Sequence, residues 1–149
     1  MVYSIEEERK LLEKKLKSLG IILNRNYFSA HKGLHPLLSI PLSFSPIYYV
    51  FIIKFCYLVF TNDQLILLFS DFSKPEKEDH IQKINYSQVN DFTLTKYIKY
   101  DCIQFTYDGQ PYYFYTDYDN WTHYYLGSNY SIDNFLNLKE QNFMGLLKS

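Results

Sequence analysis

The sequence predicts a mainly β (α+β) fold, a run of short antiparallel strands with a helix at each end. Three observations predict it. Residues 55–69 read FCYLVFTNDQLILLF, two apolar runs around the polar break Thr61-Asn62-Asp63-Gln64. Each run is strand-sized and rich in β-branched and aromatic residues, and Asn62-Asp63 can close a tight turn because both tolerate positive φ. Aromatic side chains make up 19% of the chain, with 16 Tyr and 12 Phe against 5 Gly, a composition that suits cross-strand packing. Asp108-Gly109 then lies between two alternating segments, the preferred pair for a two-residue hairpin turn.

Residues 4–20 form the clearest helix. Ser4 is a good N-cap and Glu7, three residues on, completes a capping box. Glu6, Glu7 and Glu8 suit the positive end of the helix dipole, and Lys14, Lys15 and Lys17 suit the negative end. Ile5, Leu11, Leu12, Leu16 and Leu19 make one apolar stripe, and Gly20 supplies the left-handed stop. The stripe serves one purpose, packing on the domain itself or docking a second copy; packing is the expectation.

Residues 21–23 read as a short strand or a connection, and residues 24–36, with Gly33 and Pro36, read as loop. From 37 to 60 the chain is overwhelmingly apolar. Pro41 and Pro46 interrupt it, Ser39, Ser43 and Ser45 alternate with Leu38, Ile40, Leu42 and Phe44, and Lys54 lies within it. Alternation is the period of a half-buried strand, and a lysine at mid-bilayer would cost about 3 kcal/mol. Strands are therefore expected near 37–44 and 47–53, with no membrane span. Residues 70–79 read as a charged surface loop. Ile81 and Ile84 give a short strand, Ser87-Gln88 a turn, and Val89, Phe92 and Leu94 the next strand. Residues 100–107 alternate, with Ile103, Phe105 and Tyr107 on one face, and 112–115 return beyond the turn; Pro111 suits an edge or first strand position. Polar loops follow, then a helix with Ser131 as its cap and Ile132, Phe135, Leu136, Phe143, Leu146 and Leu147 on its apolar side, its register slipping near 139–142.

At 149 residues the chain is one domain, 1–149, large enough to close a core without metal or disulfide. Its net charge of −1, from 15 basic and 16 acidic side chains, excludes a general field for nucleic acid or acidic lipid. Cys56 and Cys102 lack metal-binding spacing and sit in apolar runs, where a thiol acts as a small hydrophobe. The acidic start, without an apolar segment, is not a secretory signal, so a cytoplasmic location is expected.

Taken together, 57–66 (YLVFTNDQLI), 84–92 (INYSQVNDF), 103–109 (IQFTYDG) and the aromatic strand 112–115 resemble the bacterial pleckstrin-homology-like (PH-like) domain family. The resemblance covers 37–147 and leaves the N-terminal helix outside. It implies a partly open barrel of two antiparallel sheets capped by a C-terminal helix, plugged by Ile132, Phe135 and Leu136. It also implies a binding role toward lipids, peptides or proteins. Lipid-binding relatives use a basic signature in the first hairpin; the region matched to it here, 37–53, has no Lys or Arg, which argues against phosphoinositide binding.

No residue pattern points to catalysis. The sequence lacks a nucleophile elbow, a Gly-rich phosphate loop and a metalloprotease motif, and Asp117 and Asp119 lack an apolar setting that would raise a pKa. His31 and His35 have helical i, i+4 spacing, but Gly33 and Pro36 oppose a helix there, so no metal or other cofactor is expected. His80 and His123 are expected at the surface. The candidate binding surface is an aromatic band, Tyr113, Tyr115, Tyr118, Trp121, Tyr124 and Tyr125, because exposed Tyr and Trp bring area at small entropic cost. The expected function is a non-catalytic binding or assembly module acting through a protein partner or a second copy. The alternatives are a protein anchored to a membrane through 40–60, or a small-ligand binder at the open end of the barrel.

Overall fold

A computed structural model describes residues 4–42, 45, 47, 54–70, 79–97, 101–116 and 130–148. The first helix, α1 (Ile5–Ser18), begins as its sequence dictates. Ser4 Oγ accepts the Glu7 N–H at 3.1 Å, and the Glu7 carboxylate accepts the Ser4 N–H at 3.0 Å. Gly20 takes φ +77° just past the end, a conformation that costs glycine nothing.

The strands among the described residues are β1 (Tyr27–Gly33), β2 (Lys54–Phe60), β3 (Gln64–Phe69), β4 (His80–Asn85), β5 (Asn90–Lys96), β6 (Asp101–Tyr107) and β7 (Gln110–Thr116). They form one antiparallel sheet in the order β4-β3-β2-β1-β7-β6-β5, so β4 and β5 are its open edges. A 3-10 turn, Tyr86–Gln88, carries the chain from one edge to the other. The β2–β3 hairpin forms at Asn62-Asp63 as expected, with Phe60 opposite Leu65 and the Thr61 N–H donating to Gln64 O at 2.9 Å, but neither Asn62 nor Asp63 takes the positive φ on which the expectation rested. In the β6–β7 hairpin, Asp108 and Gly109 take φ +50° and +74°, as the turn requires. Pro111 sits at the start of β7, before the stretch that pairs with β1, so its missing N–H costs no bond to β1.

Two expectations fail between 24 and 44. Residues 27–33 are not loop but β1, the strand that joins the two halves of the sheet: it pairs with β2 on one side and β7 on the other. Gly33 and Pro36 mark where the strand ends rather than a loop throughout. Phe28 and Ala30 face one core and Tyr27 another, so a strand covered on both sides carries no simple apolar alternation. The strand expected at 37–44 is replaced by the short helix α2 (Pro36–Leu42). Pro36 opens it, since a proline at the first helical position forfeits no bond, and His35 caps it, its Nδ1 accepting the Leu37 N–H at 3.1 Å. The strand expected at 47–53 lies outside the described residues except for Ile47, which is helical rather than extended.

The inner face of the sheet gathers Phe28, Leu58, Phe60, Leu65, Leu67, Ile84, Phe92, Ile103, Phe105 and Phe114 around the last helix, α3 (Tyr130–Glu140). Ile132, Phe135 and Leu138 of α3 are buried, as is Phe143 beyond it, whereas Leu136 points to solvent. The plug is thus Phe135, Leu138 and Phe143, not Leu136. Ser131 is not the helix cap. It lies inside the first turn and its Oγ accepts the Ser29 N–H at 2.9 Å, while Asn134 Nδ2 donates to Tyr27 O at 2.9 Å. These two side chains satisfy the edge of β1 below the point where β7 stops pairing.

A second, smaller core lies on the outer face. Leu12 and Leu16 of α1 pack on Tyr27, Tyr57, Val59, Ile66 and Leu68. The helix therefore covers its own sheet, and the β2–β3 hairpin is buried on both faces because α1 covers one and the inner core the other. Glu8 ties the helix down, accepting the Tyr57 hydroxyl at 3.0 Å and the Tyr130 hydroxyl at 2.9 Å.

Candidate docking surface at the end of the first hairpin

The first hairpin of the fold is β1–β2, with residues 34–53 between its strands. Two lysines stand at the root of that connection. Lys32 and Lys54 are direct cross-strand partners, the last pair before the strands part. Directly opposed residues project from the same face of a sheet. Lys32 Nζ lies 4.3 Å over the Tyr112 ring, an attraction between cation and π face. Tyr112 also accepts a hydrogen bond from Gln82 Nε2 of β4 at 3.1 Å, which links the two halves of the sheet across the interior.

On the other face the root is aromatic. The buried His31 ring stacks on Tyr115 with centroids 5.9 Å apart and meets the edge of Phe55 at 6.5 Å. The Tyr115 hydroxyl donates to Leu34 O at 2.6 Å. Tyr113, half-buried, receives the His35 ring edge-on at 5.2 Å. Tyr113 and Tyr115 thus hold the departing chain in place, and Tyr115 is itself buried. The other members of the aromatic band, Tyr118, Trp121, Tyr124 and Tyr125, lie outside the described residues, as do His123, Asp117 and Asp119.

What these residues position is apolar and unprotected. Leu37 is 79% exposed, Leu38 56%, Ile47 65% and Phe55 67%. A scattered exposed leucine needs no explanation; four large exposed apolar side chains between 37 and 55 exceed that baseline. Sequence reasoning had the signal, the uncharged run, and assigned it to strands.

The other chemistry-bearing residues are accounted for structurally. His31 and His35 sit on a strand and after it, not on one helical face, and among the described residues no group of three or more His, Cys, Asp and Glu is placed to hold a metal ion. Burial pushes the Cys56 thiol well up, and pushes Cys102 up to about 11; protonated thiols of this kind are poor nucleophiles. Burial, aided by the Glu8 carboxylate, likewise raises Tyr130. A shallow cleft of about 460 Å³ opens at the opposite end of the hairpins, lined among others by Asn24, Asn26, Asn62, Asp63, Lys83 and Met144. Its one buried amide, Asn26, is committed to the backbone of residues 22, 24 and 60. No helix among the described residues is long and apolar enough to cross a membrane.

Compared with known proteins, the chain matches no protein-family model and no curated protein.

Proposed function

We propose that this chain is a non-catalytic binding or assembly module of the PH-like type, working in the cytoplasm by presenting the end of its first hairpin to another body. Antiparallel strands followed by one amphipathic helix on the inner face is the order on which the PH-like resemblance rests, although the described strands form one open sheet, with β1 outside 37–147, where the resemblance implies two sheets. The observation that carries the reading is the exposure of Leu37, Leu38, Ile47 and Phe55 around a root held rigid by Tyr113 and Tyr115. A protein partner or a second copy of the chain was the contact expected from the sequence, and this surface can serve it. The small-ligand reading has less support, because Tyr112 is already engaged by both Lys32 and Gln82.

The test compares the full chain with a Leu37→Asp, Phe55→Asp variant in cell extract, by gel filtration with light scattering and by ultracentrifugation. The native chain is expected in species larger than its 17.9 kDa monomer or in the pellet, and the variant as free monomer. A native chain that is itself a free monomer throughout would reject the module reading.

A further inference from the structure

The cleft of about 460 Å³ at the end of the hairpins away from Lys32 and Lys54 is walled by segments distant in sequence. Gly20 at the close of α1, Ile22 after it, Asp63 in the β2–β3 turn, Lys83 on β4 and Met144 beyond α3 all line it. Its volume is that of a small-molecule site. We propose that it binds a small zwitterion of the aliphatic α-amino-acid class, with the carboxylate toward Lys83, the ammonium toward Asp63 and the side chain on Ile22 and Met144. The site is separate from the docking surface and uses none of its residues.

Two opposite charges line one cleft without pairing. Asp63 and Lys83 are both exposed, and neither is in an ion pair among the described residues. Asp63 Oδ1 accepts the Thr61 hydroxyl at 3.2 Å, which holds the carboxylate in its turn and leaves Oδ2 to the cleft. Lys83 stands opposite Ile66 across β3 and β4, so its stem runs beside the outer core while its ammonium stays in water. The two formal charges cancel. A ligand with one charge gains at one residue and loses at the other, whereas a ligand with both gains at each. The negative end of the α1 dipole, beside Gly20, adds to the pull on an ammonium.

The uncharged lining narrows the class. Ile22 is 79% exposed and Met144 37%, and a hydrocarbon side chain laid on them removes that surface from water. Asn62 and Gln141 are exposed, and no described residue engages their carboxamides, which can donate to a carboxylate or accept from an ammonium. Phe60, the aromatic residue among the described lining, is fully buried, so no ring is offered to stack on a sugar or a base.

The experiment titrates the isotope-labelled full chain with L-leucine and follows its backbone amide signals by NMR, with glycine, L-leucinamide and N-acetyl-L-leucine as the comparison probes. Leucine is expected to move the signals of Gly20, Ile22, Asn62, Asp63 and Lys83 saturably. Glycine, which lacks the side chain, is expected to bind at least about tenfold more weakly. Leucinamide lacks the carboxylate and N-acetyl-leucine the ammonium, and each is expected to bind several-fold more weakly than leucine. Lys83→Gln is expected to weaken leucine several-fold and leave leucinamide unchanged; Asp63→Asn is expected to weaken leucine and leave N-acetyl-leucine unchanged. Native signals away from the cleft show that each variant has folded. Cleft signals that leucine does not move, up to its solubility, overturn the proposal. Equal binding of glycine rejects the aliphatic class, and variants that weaken all four probes alike reject the paired charges.

Discussion

Asn26 precedes β1 and holds three segments together. Its Nδ2 donates to Phe60 O at 2.9 Å and Ile22 O at 3.3 Å, its Oδ1 accepts the Asn24 N–H at 2.9 Å, and its own carbonyl accepts the Phe60 N–H at 2.8 Å. Removing the amide strands buried carbonyls and an N–H that folding has already dehydrated. Asn26→Ala is therefore expected to lose about 2–3 kcal/mol, seen as a lower urea midpoint at unchanged slope. Asp101 works in the opposite sense. Burial raises its pKa, with the charges of Lys139 and Lys96 opposing. Below the ordinary Asp value of about 4 the group is protonated whether folded or not, and contributes nothing. As pH rises through that value the unfolded chain ionises first, and stability falls until the folded group ionises too. Asp101→Asn is accordingly expected to gain up to about 1 kcal/mol at pH 7 and nothing near pH 3, measured by urea melts at the two values.

At the scale of elements, α1 shows how local and non-local terms divide. A helix of 14 residues is marginal by itself, even with its capping box and matched end charges. Leu12 and Leu16 hold it, buried on Tyr57, Val59, Ile66 and Leu68. Leu16→Ala is expected to cost about 3 kcal/mol, read as a lower melting temperature. The same change uncovers the outer face of the β2–β3 hairpin, so scattering at 350 nm is expected to rise at temperatures where the native chain stays clear, on the order of 5 °C below its melt. Elements with short-range signals were legible in the sequence: the Ser4–Glu7 box, the Asn62-Asp63 turn, the Asp108-Gly109 turn. α2 was misread because Leu38, Ile40, Leu42 and Phe44 alternating with serines satisfies the strand period over a length too short to exclude a helix. Ser131 looked like a cap because a serine before an apolar run normally is one; here its hydroxyl is drawn to the unpaired edge of β1.

For the molecule as a whole, Phe143 is the side chain on which both halves meet. Beyond α3 the backbone at Asn142, Phe143 and Met144 takes φ of +53°, +50° and +59°, strained for residues with a Cβ. The strain is offset by what it achieves: the Phe143 ring reaches Phe60 at 5.5 Å, Phe92 at 5.4 Å and Phe135 at 5.7 Å. Those rings come from β2, β5 and α3. Phe143→Ala is expected to cost about 4 kcal/mol, with the near-ultraviolet tyrosine signal lost in the same transition as the sheet. Phe143→Leu, which keeps most of the volume, is expected to retain more than half of that stability.

Sequence alone determined the elements whose signals lie within a few residues: α1 with its cap, the two hairpins and the alternating faces of β5 and β6. Caps, turns and periodicity act through neighbours in the chain, so they survive without a fold around them. Tertiary structure decided the role of β1. Its hydrogen-bonding partners lie in β2, where Ala30 meets Cys56, and in β7, where His31 meets Tyr115. Two different bodies cover its faces. A strand specified by such distant partners has no local pattern of its own, and its position between the two halves is what sets Lys32 opposite Lys54.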